Sequence, residues 1–290
     1  MILLIIFIGS SAVPLVNQVA RNRNNTATPV VASSPVPIPS PQNRAALTKQ
    51  AQGFELVLER EPDNLTALQG LVEVRLEQGQ LQEAMPPLER LATLAPNQPD
   101  YAILLGQARE HFGDPDGALA AYESVLKTYP GYLKALQGIV ALKLQQESPE
   151  WAIGLLEATL QTAPQANEAR PGSIDVASVQ MLLGRVFEYQ ERYTEAIAVY
   201  DQVSAKNKTD FRPVWAKADI LREQEQTDGA RTLYARALTL APPRYRDRIK
   251  QLMEALDQPA TETQSSEAKS TETATEAAQE TATDSENEAD

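Results

Sequence analysis

Pro62, Pro96, Pro130 and Pro164 stand 34 residues apart. Alanine keeps the same beat: Ala84, Ala118 and Ala152 are 34 apart, Ala196 follows after 44, and Ala230 after another 34. Pro242 lies 78 residues beyond Pro164, which is two periods plus the same extra ten. A period of this length marks one supersecondary unit repeated along the chain. Such a unit cannot bury its apolar face alone, so neighbouring units must stack to make a continuous core.

Each period has one internal pattern. In GDPDGALAAYESVLKTYP (113–130) a Gly-Asp turn precedes apolar residues at helical spacing and ends at a proline. The matching stretches are GQLQEAMPPLERLATLAP, ESPEWAIGLLEATLQTAP, ERYTEAIAVYDQVSAKNK and EQTDGARTLYARALTLAP. A second amphipathic segment precedes each turn, such as LTALQGLVEVRLEQ or VASVQMLLGRVFEYQ. The unit reads as helix, short turn, helix, and then a proline that blocks continuation into the next helix.

This pattern resembles the tetratricopeptide repeat (TPR) family. In its register the full repeats are 65–98, 99–132, 133–166, 177–210 and 211–244. The small residue at repeat position 20 is alanine in all five, and the large one at position 24 is Leu88, Tyr122, Leu156, Tyr200 and Tyr234. The resemblance implies an all-α fold: a right-handed α-solenoid of five helix-turn-helix repeats. Residues 42–61 read as a lone second helix before the first repeat, and PRYRDRIKQLMEALDQ as a C-terminal capping helix, so the solenoid is placed at 42–257. Three departures are expected to soften individual repeats. Position 11 carries Arg75, Arg109 and Lys143 where the family has an aromatic, Pro86-Pro87 should kink or delay a second helix, and Lys208 replaces the terminal proline. The insertion NEARPGSIDV (167–176) is expected to be a polar loop that widens one turn.

The family resemblance also implies a concave face, lined by the first helix of each repeat, that binds extended or helical segments of other proteins. Its positions map here to Glu73, Glu77, Gln107, Glu110, Lys134 and Gln137, then Arg185, Tyr189, Arg212, Trp215 and Arg222. That groove would run from acidic to basic and aromatic. Trp215 and Tyr189 beside Arg185 and Arg222 make its best anchor, because aromatics and arginine dominate binding hot spots. The Lys/Asn/Arg clamp with which some TPR proteins hold a chaperone's C-terminal carboxylate has no counterpart, since Gln69 and Glu73 occupy two of its places.

Composition narrows the chemistry further. The chain of 290 residues has no cysteine and one histidine, His111. Disulfides, thiolate metal sites and cysteine nucleophiles are therefore excluded, and His-based metal sites or triads are disfavoured. No Gly-rich phosphate loop, HExxH pair or GxSxG turn occurs. No catalytic, metal or cofactor-binding residue is assigned, and the chain is read as non-enzymatic. A net charge of −13 argues against a general affinity for nucleic acid.

The ends differ from the middle. Residues 257–290 hold ten acids and one lysine, and after Leu256 they contain no Val, Ile, Leu, Phe, Tyr or Trp. Such a run cannot bury enough apolar surface to offset ordering its backbone, so 258–290 is expected to be an acidic disordered tail or an arm for a basic partner. Residues 1–20, MILLIIFIGSSAVPLVNQVA, carry no charge before Arg21, and twenty helical residues span about 30 Å, the thickness of a bilayer core. A single-pass N-terminal membrane anchor is the preferred reading. Arg21 and Arg23 then hold the repeats on the cytoplasmic or stromal side. A cleaved signal sequence, with an exported or periplasmic protein, is the alternative. Residues 21–41, with five prolines, form a linker of polyproline character.

Together these features point to a membrane-tethered, non-enzymatic scaffold or adaptor with protein partners and no cofactor. The layout is similar to the N-terminally anchored TPR proteins of cyanobacteria and chloroplasts, which implies help in assembling a membrane complex of the photosystem kind. An exported protein serving envelope assembly and an accessory subunit of an enzyme are the alternatives.

Overall fold

The computed structural model describes residues 41–257. Among them are twelve α-helices and no strand. The chain divides into two compact units, one ending at Val199 and one beginning at Tyr200. The first unit contains α1 (Pro41–Arg60), α2 (Leu65–Glu77), α3 (Leu81–Leu94), α4 (Pro99–His111), α5 (Pro115–Thr128), α6 (Leu133–Gln145), α7 (Pro149–Ala169) and α8 (Val176–Tyr189). The unit boundary falls within α9 (Tyr193–Lys206), and the second unit continues with α10 (Arg212–Glu223), α11 (Thr227–Leu240) and α12 (Pro243–Ala255). The segments 1–20, 21–40 and 258–290, with the anchor, linker and tail read there, lie outside the described residues.

The turn between the two helices of a repeat is built the same way five times. Gly79, Gly113, Glu147, Glu191 and Glu225 share one register position, and all have φ between 53° and 73°. Each ends its helix by a Schellman arrangement. The N–H after the left-handed residue reaches five residues back, from Gln80 to Arg75 O, Asp114 to Arg109 O, Ser148 to Lys143 O, Arg192 to Phe187 O and Gln226 to Leu221 O, at 2.8–2.9 Å. Glycine adopts this backbone freely, whereas an L-residue meets its own carbonyl there.

Packing follows the 34-residue beat. Ala84, Ala118, Ala152, Ala196 and Ala230 are fully buried, as are Leu88, Leu156, Tyr200 and Tyr234, with Tyr122 nearly so. A methyl is all that fits where the two helices of a repeat meet, and the larger side chain one turn later fills the space beside it. Glycines receive the ring: a Cβ at Gly106 or Gly138 would lie 2.4 or 2.5 Å from Tyr122. Helices adjacent in sequence pack together from α1 to α8, and again from α10 to α12. In the first unit α4 also touches α6, and α6 touches α8, so first helices of successive repeats lie side by side.

Three expectations are corrected. Pro164 does not end its helix: α7 runs on through it to Ala169. Ala163, buried just before the proline, anchors that stretch, and the continuation extends one helix by more than a turn. The insertion 167–176 is therefore partly helical, and its remainder is a packed element rather than a polar loop. Asn167 donates to Ile174 O at 2.9 Å and accepts from Ile174 N at 2.9 Å and Ser173 Oγ at 3.1 Å. Ile174 is buried, 2.6 Å from where a Cβ on Gly131 would stand, so that glycine is needed for the approach. Pro86-Pro87 does not delay α3, which begins at Leu81 and contains both prolines, with Pro87 packed inside beside Ala84 and Leu88.

The arginines at position 11 do not loosen their repeats either. Arg75 donates to Glu55 Oε1 at 2.5 Å and to Gln80 Oε1 at 2.6 Å. Arg109 pairs with Glu89 and donates to Gly117 O at 3.0 Å. Glu55 and Glu89 are themselves 34 residues apart, so each arginine ties its first helix to the second helix of the preceding unit. Lys143 breaks the series: its ammonium sits over the Trp151 ring at 5.0 Å.

Candidate partner-binding surfaces

In the first unit, the side-by-side first helices bring some of the expected groove residues to the surface and tie others down. Glu73, Glu77, Lys134, Gln137, Arg185 and Tyr189 are exposed, while Gln107 and Glu110 are half-buried. Lys134 donates to Asp100 Oδ1 at 2.9 Å, and the Tyr132 hydroxyl donates to the same oxygen at 3.0 Å. Burial pushes the Asp100 carboxyl up, but these two hydrogen bonds outweigh it and hold it below its ordinary value. Asp100 thus stitches the start of α4 to the start of α6. Gln69 does the same one repeat earlier, donating to Tyr101 Oη at 2.6 Å.

Glu110 serves as a floor to the face. Its Oε1 accepts from the Tyr122 hydroxyl at 2.7 Å. Burial raises this carboxyl above its ordinary value, and the hydrogen bond offsets part of that. Burial, and then the carboxylate beside it, drive the Tyr122 phenol far above the usual tyrosine range. Tyr189 is 43% exposed and is the one large aromatic of the expected groove set that faces solvent to that degree. His111 is exposed, edge-on to Phe112 at 5.2 Å.

In the second unit, Arg212 is bound to Asp210, with Nη2 to Oδ2 at 2.7 Å and Nε to Oδ1 at 3.0 Å. Asp210 is itself buried. Trp215 is half-buried in an aromatic group with Phe211 and Tyr245, at ring separations of 6.1 and 6.2 Å, and Phe211 lies 4.9 Å from Tyr245. It holds α12 onto α10 more than it offers a free anchor. Arg222 lies 3.9 Å from Asp219, which accepts from the Tyr234 hydroxyl at 2.5 Å. Sequence reasoning passed over Phe211 and Tyr245, although they are 34 residues apart and the repeat links them. Arg185 and Tyr189 belong to the first unit and Trp215 and Arg222 to the second, so the expected four-residue anchor divides into two pairs.

Among the described residues no group of three or more His, Cys, Asp or Glu side chains is placed to hold a metal ion. A cleft of about 350 Å³ lies where Tyr129 and Tyr132 meet Arg170, Gly172 and Ser173 of the insertion. No helix among the described residues is long and apolar enough to cross a membrane.

Comparison with known proteins agrees with the repeat. Family models described as tetratricopeptide repeat match residues 46–108, 103–132 and 181–245, together more than half of the chain. The chain belongs to the tetratricopeptide repeat family. A curated relative, Protein CTR9 homolog of Arabidopsis thaliana, is 32% identical over 95 residues, which is 32% of this chain and only 9% of that protein. Among solved structures, yeast Tom70 superposes with a TM-score of 0.51 at 13% identity, over 72% of this chain and 43% of its own. A tetratricopeptide repeat protein from Parabacteroides merdae gives 0.46 at 12% identity, over 75% and 80% of the two chains. A thermophilic TPR protein of Thermus thermophilus gives 0.43 at 22% identity, over 66% and 98%. The fold is thus the all-α solenoid class of TPR proteins, which serve as protein-interaction scaffolds.

Proposed function

We propose that this TPR protein is a non-enzymatic scaffold that takes extended or helical segments of partner proteins on its first-helix face. It is tethered through residues 1–20 to a membrane whose complexes it helps assemble. The observation that carries the binding face is the contact of α4 with α6 and of α6 with α8, which joins successive first helices into one surface. With α2 tied to α4 by the Gln69–Tyr101 hydrogen bond, the first helices present Glu73, Glu77, Gln137, Arg185 and Tyr189 to solvent, a mix of charge with one aromatic suited to selective, polar recognition. The tether is supported by the apolar run at 1–8 and by Arg21 and Arg23 immediately after the segment.

The test is crosslinked purification of the full chain from membranes, beside an Arg185→Glu/Tyr189→Ala variant, with the N-terminal peptide read by mass spectrometry. A partner set lost in the variant, on a chain that keeps residues 1–20, is the expected result. Partners indifferent to the double substitution would remove the face, and a mature chain starting after that segment would remove the tether.

A further inference from the structure

The first half of α12 carries more positive charge than its own carboxylate balances. Residues 244–250 hold four cations, Arg244, Arg246, Arg248 and Lys250, against a single acid, Asp247. At 100° per residue, Arg244 and Arg248 run along one side of the buried stripe of Ile249 and Leu252, and Arg246 and Lys250 run along the other. All four are exposed. Arg246 donates to Ala241 O at 2.9 Å, Arg244 lies over the Tyr245 ring at 4.9 Å, and Lys250 is 4.0 Å from Asp247. Neither Arg244 nor Arg248 has a carboxylate partner among the described residues. The helix itself gains nothing from this arrangement. Its first turn has no acid, and cations near a helix N-terminus oppose the helix dipole.

The opposite charge is tethered to the other end of the same helix. Residues 258–290 hold nine acids and one lysine. The acid just before them, Asp257, already turns back: its two carboxylate oxygens meet the guanidinium of Arg231 on α11, Oδ2 at 3.1 Å from Nη1. From Asp257 back to Arg244 is about 20 Å along the helix, a distance that roughly six extended residues span. Every tail acid from Glu267 onward is therefore within reach of Arg244, and Glu262 is within reach of Arg248, about 14 Å from Asp257. Short tethers hold a segment at millimolar effective concentration, so several weak exposed ion pairs suffice to keep it there.

We infer that the basic surface of α12 is occupied by the chain's own acidic C-terminal segment, residues 258–290. That surface is then a self-occupied site, and any other acidic segment has to compete with the tail for it. The inference stands apart from the scaffold reading, because its readout is intramolecular and needs no partner.

The absence of cysteine makes a clean test possible. A spin label on Ser270→Cys in the full chain is the only thiol-attached probe, and paramagnetic broadening reports which backbone amides it approaches. At low salt the amides of 244–250 should lose most of their intensity. They should recover near about 0.5 M salt, where the screening length falls to a few ångströms. They should also recover in Arg244→Glu/Arg248→Glu, and in a chain with all nine tail acids neutralised, each Glu to Gln and both Asp to Asn. The second variant leaves α12 untouched, so its result does not depend on the helix tolerating charge reversal. Unbroadened α12 amides at low salt would overturn the proposal, as would broadening that survives tail neutralisation. Broadening that appears in isotope-labelled chains only when they are mixed with separately spin-labelled ones would also overturn it, because the occupant would then be a second copy.

Discussion

Three of the five helix-turn-helix junctions place glutamate where the backbone asks for glycine. Glu147, Glu191 and Glu225 sit at φ 53°, 58° and 59°. An L-residue in the left-handed region costs roughly 1–2 kcal/mol. Glycine removes that strain but loses more backbone entropy on folding, roughly 0.5–1 kcal/mol. Each Glu→Gly change should therefore stabilise by about 0.5–1 kcal/mol. The three together should give about 1.5–3 kcal/mol, because they are far apart in sequence and share no partner. Packing does not enter: all three glutamates are exposed, and a Cβ built at the equivalent Gly79 or Gly113 meets nothing within 4 Å. The reciprocal change Gly113→Ala should destabilise by a similar amount. Chemical denaturation followed by far-UV circular dichroism measures both, and each kcal/mol should move the melting temperature by about 2–4 °C in a domain of this size. Glu147→Gln separates charge from conformation and should change stability little. A Glu147→Gly protein no more stable than the parent, or a stabilised Gly113→Ala, would refute the conformational reasoning.

Other consequences can be checked as directly. Asn167→Ala removes hydrogen bonds to Ile174 N, Ile174 O and Ser173 Oγ, and should cost about 2 kcal/mol with faster hydrogen exchange at 173–175. Gly138→Ala drives a methyl to 2.5 Å from the Tyr122 ring and should cost about 1–3 kcal/mol in a denaturation curve. A double-mutant cycle on Arg109→Ala and Glu89→Ala should give a coupling of about 0.5–1 kcal/mol that shrinks with salt, since Glu89 is partly exposed. Burial and then Asp100 push the Tyr132 phenol up to about 12, and Tyr122 and Tyr234 are raised further, by burial and then by Glu110 and Asp219. A group raised on folding contributes stability that is full below its unfolded value and lost as pH climbs through the folded one. Stability should thus fall from about pH 10 upward, and absorbance at 295 nm should show these phenols ionising last.

The fold was legible because the repeat is carried by residues that its geometry forces. Alanine at 84, 118, 152, 196 and 230 is the only size that fits between paired helices, so its beat survives in the sequence. What sequence missed has a common cause: it depends on pairs separated by a turn or a repeat. Pro164 reads as a stop, yet buried Ala163 and the Asn167–Ile174 bonds hold a longer helix past it. Arg75 and Arg109 read as departures until their 20-residue spacing to Glu55 and Glu89 is seen. The candidate surface was legible only in part. Periodicity selects Glu110, Arg212 and Trp215 as first-helix residues, but it does not show that Tyr122, Asp210 and the Phe211–Tyr245 pair already engage them. Arg185 and Tyr189, both exposed on α8, are expected groove residues that the fold keeps at the surface.

Hydrogen exchange on the full chain, alone and in complex with a purified partner, bears on the scaffold reading without mutating anything. A partner on the first-helix face should slow exchange in α2, α4, α6, α8 or α10 and leave α3, α5, α7 and α11 unchanged. Protection confined to those second helices, or no protection anywhere in 41–257, would mean that the first helices are not the binding face.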